Sequence, residues 1–181
     1  MHFKKLGKSD LNVSSYCLGT MTFGETTSED DGHSQIDQSL EYGINFFDTA
    51  EMYPTCPLRA ETTGNTEIII GNWIEKNKSK RPDIILASKI SGKGYKAVRN
   101  GEGINEKSIK IAIESSLKKL KTDYLDLYQL HWPNRGSYHF RQNWNYNPTT
   151  QDTETAKENI LQVLKALSDI QKEGKIRYIG L

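Results

Sequence analysis

The sequence has almost no charge imbalance. Lys and Arg total 24 against 23 Asp and Glu, for a formal net charge of +1, so the basic surface used by nucleic-acid and membrane-surface binders is missing from its composition. It also lacks long apolar runs. No stretch approaches the ~18 apolar residues that span a bilayer, and the start, Met1-His2-Phe3-Lys4-Lys5-Leu6-Gly7, has no apolar h-region. The expectation is a soluble, cytoplasmic protein with neither nucleic acid nor membrane as partner. Cysteine is scarce: Cys17 and Cys56 stand far apart, outside any C-x-x-C pair, which excludes a disulfide framework and reads as two free thiols. His2, His33, His131 and His139 show no H-E-x-x-H spacing, so no metal is expected. Phosphate-cradling loops are absent too. Gly92-Lys93-Gly94 and Gly101-Glu102-Gly103 complete neither G-x-x-x-x-G-K-[ST] nor G-x-G-x-x-G and read as flexible loop glycines.

What is present is an alternation. The 181 residues fit one domain, 1–181. β-rich runs at 16–20, 44–48, 84–90, 125–131 and 176–181 are separated by amphipathic helical stretches, the pattern of βα units around a parallel sheet. Ahead of them, residues 3–13 break at Gly7-Lys8-Ser9-Asp10 and read as a small β-hairpin.

The helices carry end signals. Ser28 before Glu29, Asp30 and Asp31 is an N-cap with first-turn carboxylates, and Gly43 ends that segment. A second helix after Asn65 presents Ile70, Trp73 and Ile74. A third after Asn105 presents Ile109, Ile113, Leu117 and Leu120. The run of Lys118, Lys119 and Lys121 at its end reads as a solvated helix terminus. The fourth opens on Thr155-Ala156-Lys157-Glu158, a capping-box pattern, turns Ile160, Val163, Leu164, Leu167 and Ile170 inward, and stops at Gly174. Between His131 and that helix, residues 133–152 form a long loop with Tyr138, Phe140, Trp144 and Tyr146, whose aromatics favour an ordered flap.

Five βα units leave two architectures open: a complete flavodoxin-like sheet, or part of a (β/α)8 barrel that needs eight strands and usually ~250 residues. In both, the working residues sit at the C-terminal ends of strands. Asp48, Lys89 and His131 fall there, and Tyr53 lies five residues past Asp48 in the loop leaving the same rim. Singly, each has an ordinary role as a cap, a solvated cation or a packed ring. Together, an acid, an amine, an imidazole and a phenol at successive rim positions are placed to meet in one pocket, a combination that concentrates at functional sites.

At this point the sequence resembles a known family. The run Gly43-Ile44-Asn45-Phe46-Phe47-Asp48-Thr49-Ala50-Glu51-Met52-Tyr53, followed by Glu67 and Gly71, looks like the first signature of the aldo-keto reductases. Ser116-Leu117-Lys118-Lys119-Leu120 through Asp123-Tyr124-Leu125-Asp126-Leu127-Tyr128-Gln129-Leu130-His131-Trp132-Pro133 is similar to the second, and Ala87-Ser88-Lys89 matches the strand bearing the family's lysine. Gly19-Thr20-Met21-Thr22-Phe23-Gly24, Ala50-Glu51-Met52-Tyr53-Pro54 and the insert after His131 resemble the bacterial Tas-type branch in particular.

The resemblance runs in order along the whole chain and implies an α/β fold, the (β/α)8 TIM barrel, here its first five βα units after the hairpin. It implies an oxidoreductase that reduces aldehyde or ketone carbonyls with NADPH. Tyr53 would be the proton donor, Lys89 would stabilise the phenolate, Asp48 would pair with Lys89, and His131 would orient the carbonyl oxygen. Thr20, Met21 and Asp48 would touch NADP(H), and Trp132 would line the site of a small carbonyl substrate. A family member would continue past Leu181 with a Ser-Asn pair and three further βα units that carry most of the nucleotide contacts. Two other roles stay open: a cofactor-sensing ancillary subunit, or an inactive fragment.

Overall fold

The computed structural model describes residues 1–134, 144 and 146–181. Its elements run β1(Phe3–Lys5), β2(Asn12–Ser14), β3(Cys17–Gly19), α1(Glu29–Glu41), β4(Phe46–Asp48), α2(Asn65–Lys76), β5(Ile85–Ile90), α3(Glu106–Leu120), β6(Leu125–Leu130), α4(Thr153–Lys172) and β7(Ile176–Gly180). Strands β3 to β7 form a five-stranded parallel sheet in sequence order, with a helix in each crossover. Sequential order is what a barrel requires, whereas a doubly wound sheet reverses direction at a switch point. The chain is therefore part of a TIM barrel.

β1 and β2 pair antiparallel across a turn in which Gly7 takes φ +58°, the left-handed conformation that glycine adopts without steric cost. The hairpin covers the N-terminal end of the sheet. Its Leu11 and Val13 pack on Ile85, with Phe46 and Tyr178 alongside. The Asn45 side chain fastens it, accepting from Ser14 N at 2.8 Å and donating to the Asn12 carbonyl at 3.0 Å.

The main core lies between the sheet and the helices, where Phe47, Leu86, Ile90 and Tyr128 meet Ile36, Trp73, Ile109, Ile113 and Leu167. Helix starts follow local chemistry. Ser28 Oγ accepts from Asp31 N at 3.1 Å, and Asn105 with Ser108 closes a reciprocal capping box on α3. Such a cap contributes about 1 kcal/mol.

Several expectations need correction. α4 begins two residues before the supposed capping box, because Asp152 accepts from Glu154 N at 3.1 Å and takes the N-cap position itself. Ile160 then lies at the surface and Leu164 is only half buried, while Val163, Ala166, Leu167 and Ile170 form the inward face. α2 is capped by Gly64 in the left-handed region and includes Asn65. A 3-10 turn, Lys78–Asp83, had no sequence signal. Lys119 is only partly solvated, its side chain 27% exposed, since it pairs with the buried Glu67 at 3.5 Å. Of the long loop, Trp144 is exposed and residues 148–150 make a short 3-10 turn. The expectations for Tyr138, His139 and Phe140 lie outside the described residues.

Candidate active site

Parallel pairing puts registered residues on one face of the sheet. Gly19 pairs with Asp48, Asp48 with Ala87, and Lys89 with Gln129. Because alternate residues share a face, Cys17, Asp48, Lys89 and Gln129 all point to the concave side, away from the helices. Asp48 is the last residue of β4, Lys89 the penultimate residue of β5, and His131 the first residue beyond β6. All three therefore occupy the C-terminal rim. Tyr53 reaches the same rim from the loop after β4, where its amide donates to the Ala50 carbonyl at 3.0 Å.

The side chains meet. Lys89 Nζ donates to Asp48 Oδ2 at 2.6 Å, to the Thr49 carbonyl at 2.8 Å and to Tyr53 Oη at 3.4 Å. The same ammonium lies 4.8 Å from the centroid of the Tyr53 ring. Lys89 and Asp48 are 13% and 28% exposed at the side chain, so the pair is partly shielded from water and its attraction is stronger than that of a surface pair. The Tyr53 and His131 rings stand edge to face with centroids 5.6 Å apart, and His131 adjoins Trp132 at 5.0 Å. Asp48, Lys89, Tyr53, His131 and Trp132 thus form one continuous chain of contacts.

Thr20 and Met21 are placed differently. Thr20 is fully buried, and its hydroxyl donates to the Asp48 carbonyl at 2.8 Å, so it braces the end of β4. Met21 is 41% exposed beside that brace. A Cβ built on Gly19 would meet nothing within 4 Å, which leaves open space next to the Asp48 carboxylate.

The loop glycines are not merely flexible. A Cβ on Gly92 would come within 2.5 Å of Trp132, and one on Gly103 within 2.6 Å of the Asn134 side chain, so both are glycine because other groups press on them. Gly94 and Gly101 have φ of +124° and +77°. Trp132 lies over Gly92, donates Nε1–H to the Lys93 carbonyl at 3.3 Å, adjoins the His131 ring and packs in the cluster of Ala50, Met52, Tyr53 and Val98.

Three participants escaped the sequence reading. Gln129 Nε2 donates to Asp48 Oδ1 at 3.2 Å, and its place two residues before His131, on the strand neighbouring Lys89, was a signal in plain view. Glu51 and Arg99 form a buried ion pair behind the Tyr53 loop. Burial pushes the Glu51 carboxyl above its ordinary range, against the opposing pull of Arg99 and the Ser91 amide. Burial also drives the Tyr128 phenol well above its ordinary value, with the Glu51 and Glu67 carboxylates adding to the effect.

Comparison with known proteins gives the same grouping. Residues 16–181 match the model of the Aldo/keto reductase family. Over its full length the chain is 46% identical to Protein tas of Escherichia coli, covering 51% of that protein. It is 32% identical to the uncharacterized oxidoreductase YrpG of Bacillus subtilis, with 99% of this chain and 48% of that protein aligned. Among solved structures, the holo form of aldo-keto reductase AKR11C1 from Bacillus halodurans superposes with a TM-score of 0.72 at 32% identity, covering 99% of this chain and 49% of that one. The chain spans about half the length of the relatives it matches.

Proposed function

This chain belongs to the aldo/keto reductase family, and we propose that its rim site reduces aldehyde and ketone carbonyls to alcohols with NADPH, Tyr53 giving the proton. One observation carries the reading. The Lys89 ammonium is gripped by Asp48 at 2.6 Å and the Thr49 carbonyl at 2.8 Å, and presents its remaining side to Tyr53 Oη at 3.4 Å. A structural ion pair has no need to present a cation to a phenol oxygen. A proton donor does, because the phenolate left after proton transfer is stabilised by an adjacent fixed positive charge.

The residues present fit the cofactor. The open space over Gly19, the partly exposed Asp48 carboxylate and the exposed Met21 side chain leave room for a nicotinamide ribose beside the site. Thr20 would hold that edge through its bond to the Asp48 carbonyl. NADPH, when bound, supplies the hydride that reduces the carbonyl carbon. Tyr53 passes its phenolic proton to the carbonyl oxygen, and Lys89 holds the resulting phenolate. His131, edge-on to the Tyr53 ring, hydrogen-bonds the same oxygen and orients it, while Trp132 covers one side of the substrate. Asp48 keeps Lys89 in place.

The test is fluorescence titration of the purified chain with NADPH, followed by carbonyl-reduction assays of wild type and Tyr53→Phe. The expected result is binding by both, with turnover lowered at least about 100-fold in the variant, the scale of a lost general acid. Unchanged turnover in Tyr53→Phe would refute the acid role. NADPH binding with no turnover by wild type would favour a cofactor-sensing role instead, and absence of binding would overturn catalysis by this chain alone.

A further inference from the structure

The loop that carries Tyr53 also carries a carboxylate with no place in the reaction above. Glu51 is 5% exposed. Its Oε1 accepts from the Ser91 amide at 2.5 Å, and its Oε2 accepts from Arg99 Nη1. Arg99 Nη2 returns to the Ser91 carbonyl at 2.7 Å, which closes a ring of three residues. Through its own backbone amide Glu51 also donates to the Lys89 carbonyl at 3.2 Å. One residue therefore grips the segment after β5 at two points, residues 89 and 91. Lys89 is the first of those points, and Tyr53 lies two residues beyond Glu51.

Arg99 is held in a conformation that needs a reason. Its φ is +45° and that of Asn100 is +54°, in the left-handed region that residues with a side chain seldom adopt. Such strain persists where surrounding contacts over-determine the backbone, and it concentrates at functional sites. Here the contacts are the double engagement of the guanidinium and the burial of the preceding Val98 in the same apolar cluster as Ala50, Met52, Tyr53 and Trp132. Stability alone does not account for the arrangement, because a buried ion pair is often no better than apolar side chains of the same volume. What such a pair supplies is fixed geometry. The other charged groups close by are Glu67, which lies in the field of Glu51, and Lys119, which borders the same small cavity of about 160 Å³. Glu67 is already bound by Ser88 Oγ at 2.8 Å and by Lys119.

We infer that the Glu51–Arg99 ion pair is a positioning device for Tyr53: it fixes the loop bearing the phenol against the strand end bearing Lys89, and so sets their mutual approach. The inference rests on the reading of Tyr53 as proton donor. Misplacement of a reacting group by about 1 Å costs on the order of 100-fold in rate, so small slackness in this loop has a large effect. Gln at position 51 keeps the shape but removes the charge that engages Arg99.

The experiment uses the full chain, labelled with 13Cζ-tyrosine, as wild type, Glu51→Gln and the neutral pair Glu51→Gln/Arg99→Met, with Tyr53→Phe to identify the Tyr53 signal. The Tyr53 signal is expected to move in both variants while those of the remote, exposed Tyr16 and Tyr42 stay in place. In the reduction assay, Glu51→Gln should lower kcat on the order of 100-fold, with KM for NADPH changed less than about twofold. Glu51→Gln/Tyr53→Phe should be no slower than Tyr53→Phe alone, since a positioning residue has nothing left to position. A folded Glu51→Gln with an unmoved Tyr53 signal overturns the inference, as does a loss that multiplies with that of Tyr53→Phe. If wild type lacks activity, the function reading fails on its own and the NMR comparison still decides the positioning. If Glu51→Gln does not fold, the neutral pair gives the same reading.

Discussion

Gln129 Nε2 donates to Asp48 Oδ1 at 3.2 Å, on the oxygen opposite the one that Lys89 grips at 2.6 Å. The carboxylate is therefore held from two neighbouring strands, β5 and β6. Asn at position 48 keeps an oxygen for Lys89 but loses the charge that pairs with the ammonium, and it keeps Gln129 only when the Gln129 amide turns over to accept from the new NH2. Asp48→Asn should lower the denaturation free energy by about 1–3 kcal/mol, between the loss of one hydrogen bond and that of a buried ion pair. Carbonyl reduction should fall on the order of 100-fold. Gln129→Leu removes the weaker contact and should cost about 1 kcal/mol. Guanidinium titrations rank the two, and equal midpoints would show that Asp48 is not shared in this way.

Cys17 offers a reporter on the charge of this site. It lies on the same face of the sheet as Asp48, and burial, aided by the Asp48 carboxylate and opposed by Lys89, raises its thiol from 9.0 to about 11. Although the residue reaches solvent, the shift follows the shielded position of its sulfur. The rise lowers the thiolate fraction at pH 8 about 100-fold, and the greater nucleophilicity of a more basic thiolate recovers part of this, leaving alkylation roughly tenfold slower than for an unperturbed thiol. In a Cys56→Ser background the iodoacetamide rate should rise with pH up to about 11. Asp48→Asn should speed it at pH 8. A rate that levels off near pH 9, or does not respond to Asp48→Asn, would contradict the coupling.

How much was readable in the sequence follows from which physics is local. The caps at Ser28 and Asn105, the turn at Gly7 and the strand-end places of Asp48, Lys89 and His131 depend on neighbours in the chain, and the structure has them where expected. What was missed depends on the third dimension. Lys119 reads as a helix-end cation until α2 brings Glu67 against it. Gly92 and Gly103 read as flexible until Trp132 and Asn134 arrive from the loop after β6. Glu51 and Arg99 are 48 residues apart, and no periodicity announces their pairing. The family resemblance identified the rim residues, but not the groups that hold them.

Gly71 tests the packing beneath the site. A Cβ there would come 1.9 Å from the Lys119 carbonyl and 2.9 Å from the Leu120 backbone, so α2 and α3 meet with no room for a methyl group. The obstructing atoms are backbone and cannot swing aside. Gly71→Ala should therefore cost more than the 1–3 kcal/mol typical of overpacking, outweighing the ~1 kcal/mol gained by replacing glycine in a helix. A thermal melt reads the outcome. A variant as stable as wild type would mean that the two helices separate more easily than their contact implies.

The strongest stability prediction lies at the opposite end of the sheet. Asp126 is 1% exposed and accepts from Arg81 Nη2 at 3.0 Å, from the Leu86 amide at 3.0 Å and from Arg177 Nη1 at 2.8 Å. Arg177 then reaches Asp10 in the hairpin turn at 3.1 Å, where Tyr178 Oη also donates at 3.0 Å. The network joins the 3-10 turn before β5, the strands β5 to β7 and the hairpin through one carboxylate. Its two arginines are not equivalent, because the side chain of Arg81 is 8% exposed and that of Arg177 is 43% exposed. Asp126→Ala leaves Arg81 as a buried cation without its carboxylate partner and should cost about 3–5 kcal/mol. Arg177→Ala removes a half-solvated arm, and Asp126 keeps Arg81, so the loss should be about 1 kcal/mol or less. Because Arg177 shares the hold on Asp10 with Tyr178, Arg177→Ala should speed amide exchange in β1 and β2 while leaving β5 protected. Hydrogen exchange with guanidinium titration measures both. Equal costs for Asp126→Ala and Arg177→Ala would show that the buried arm carries no more of the network than the exposed one.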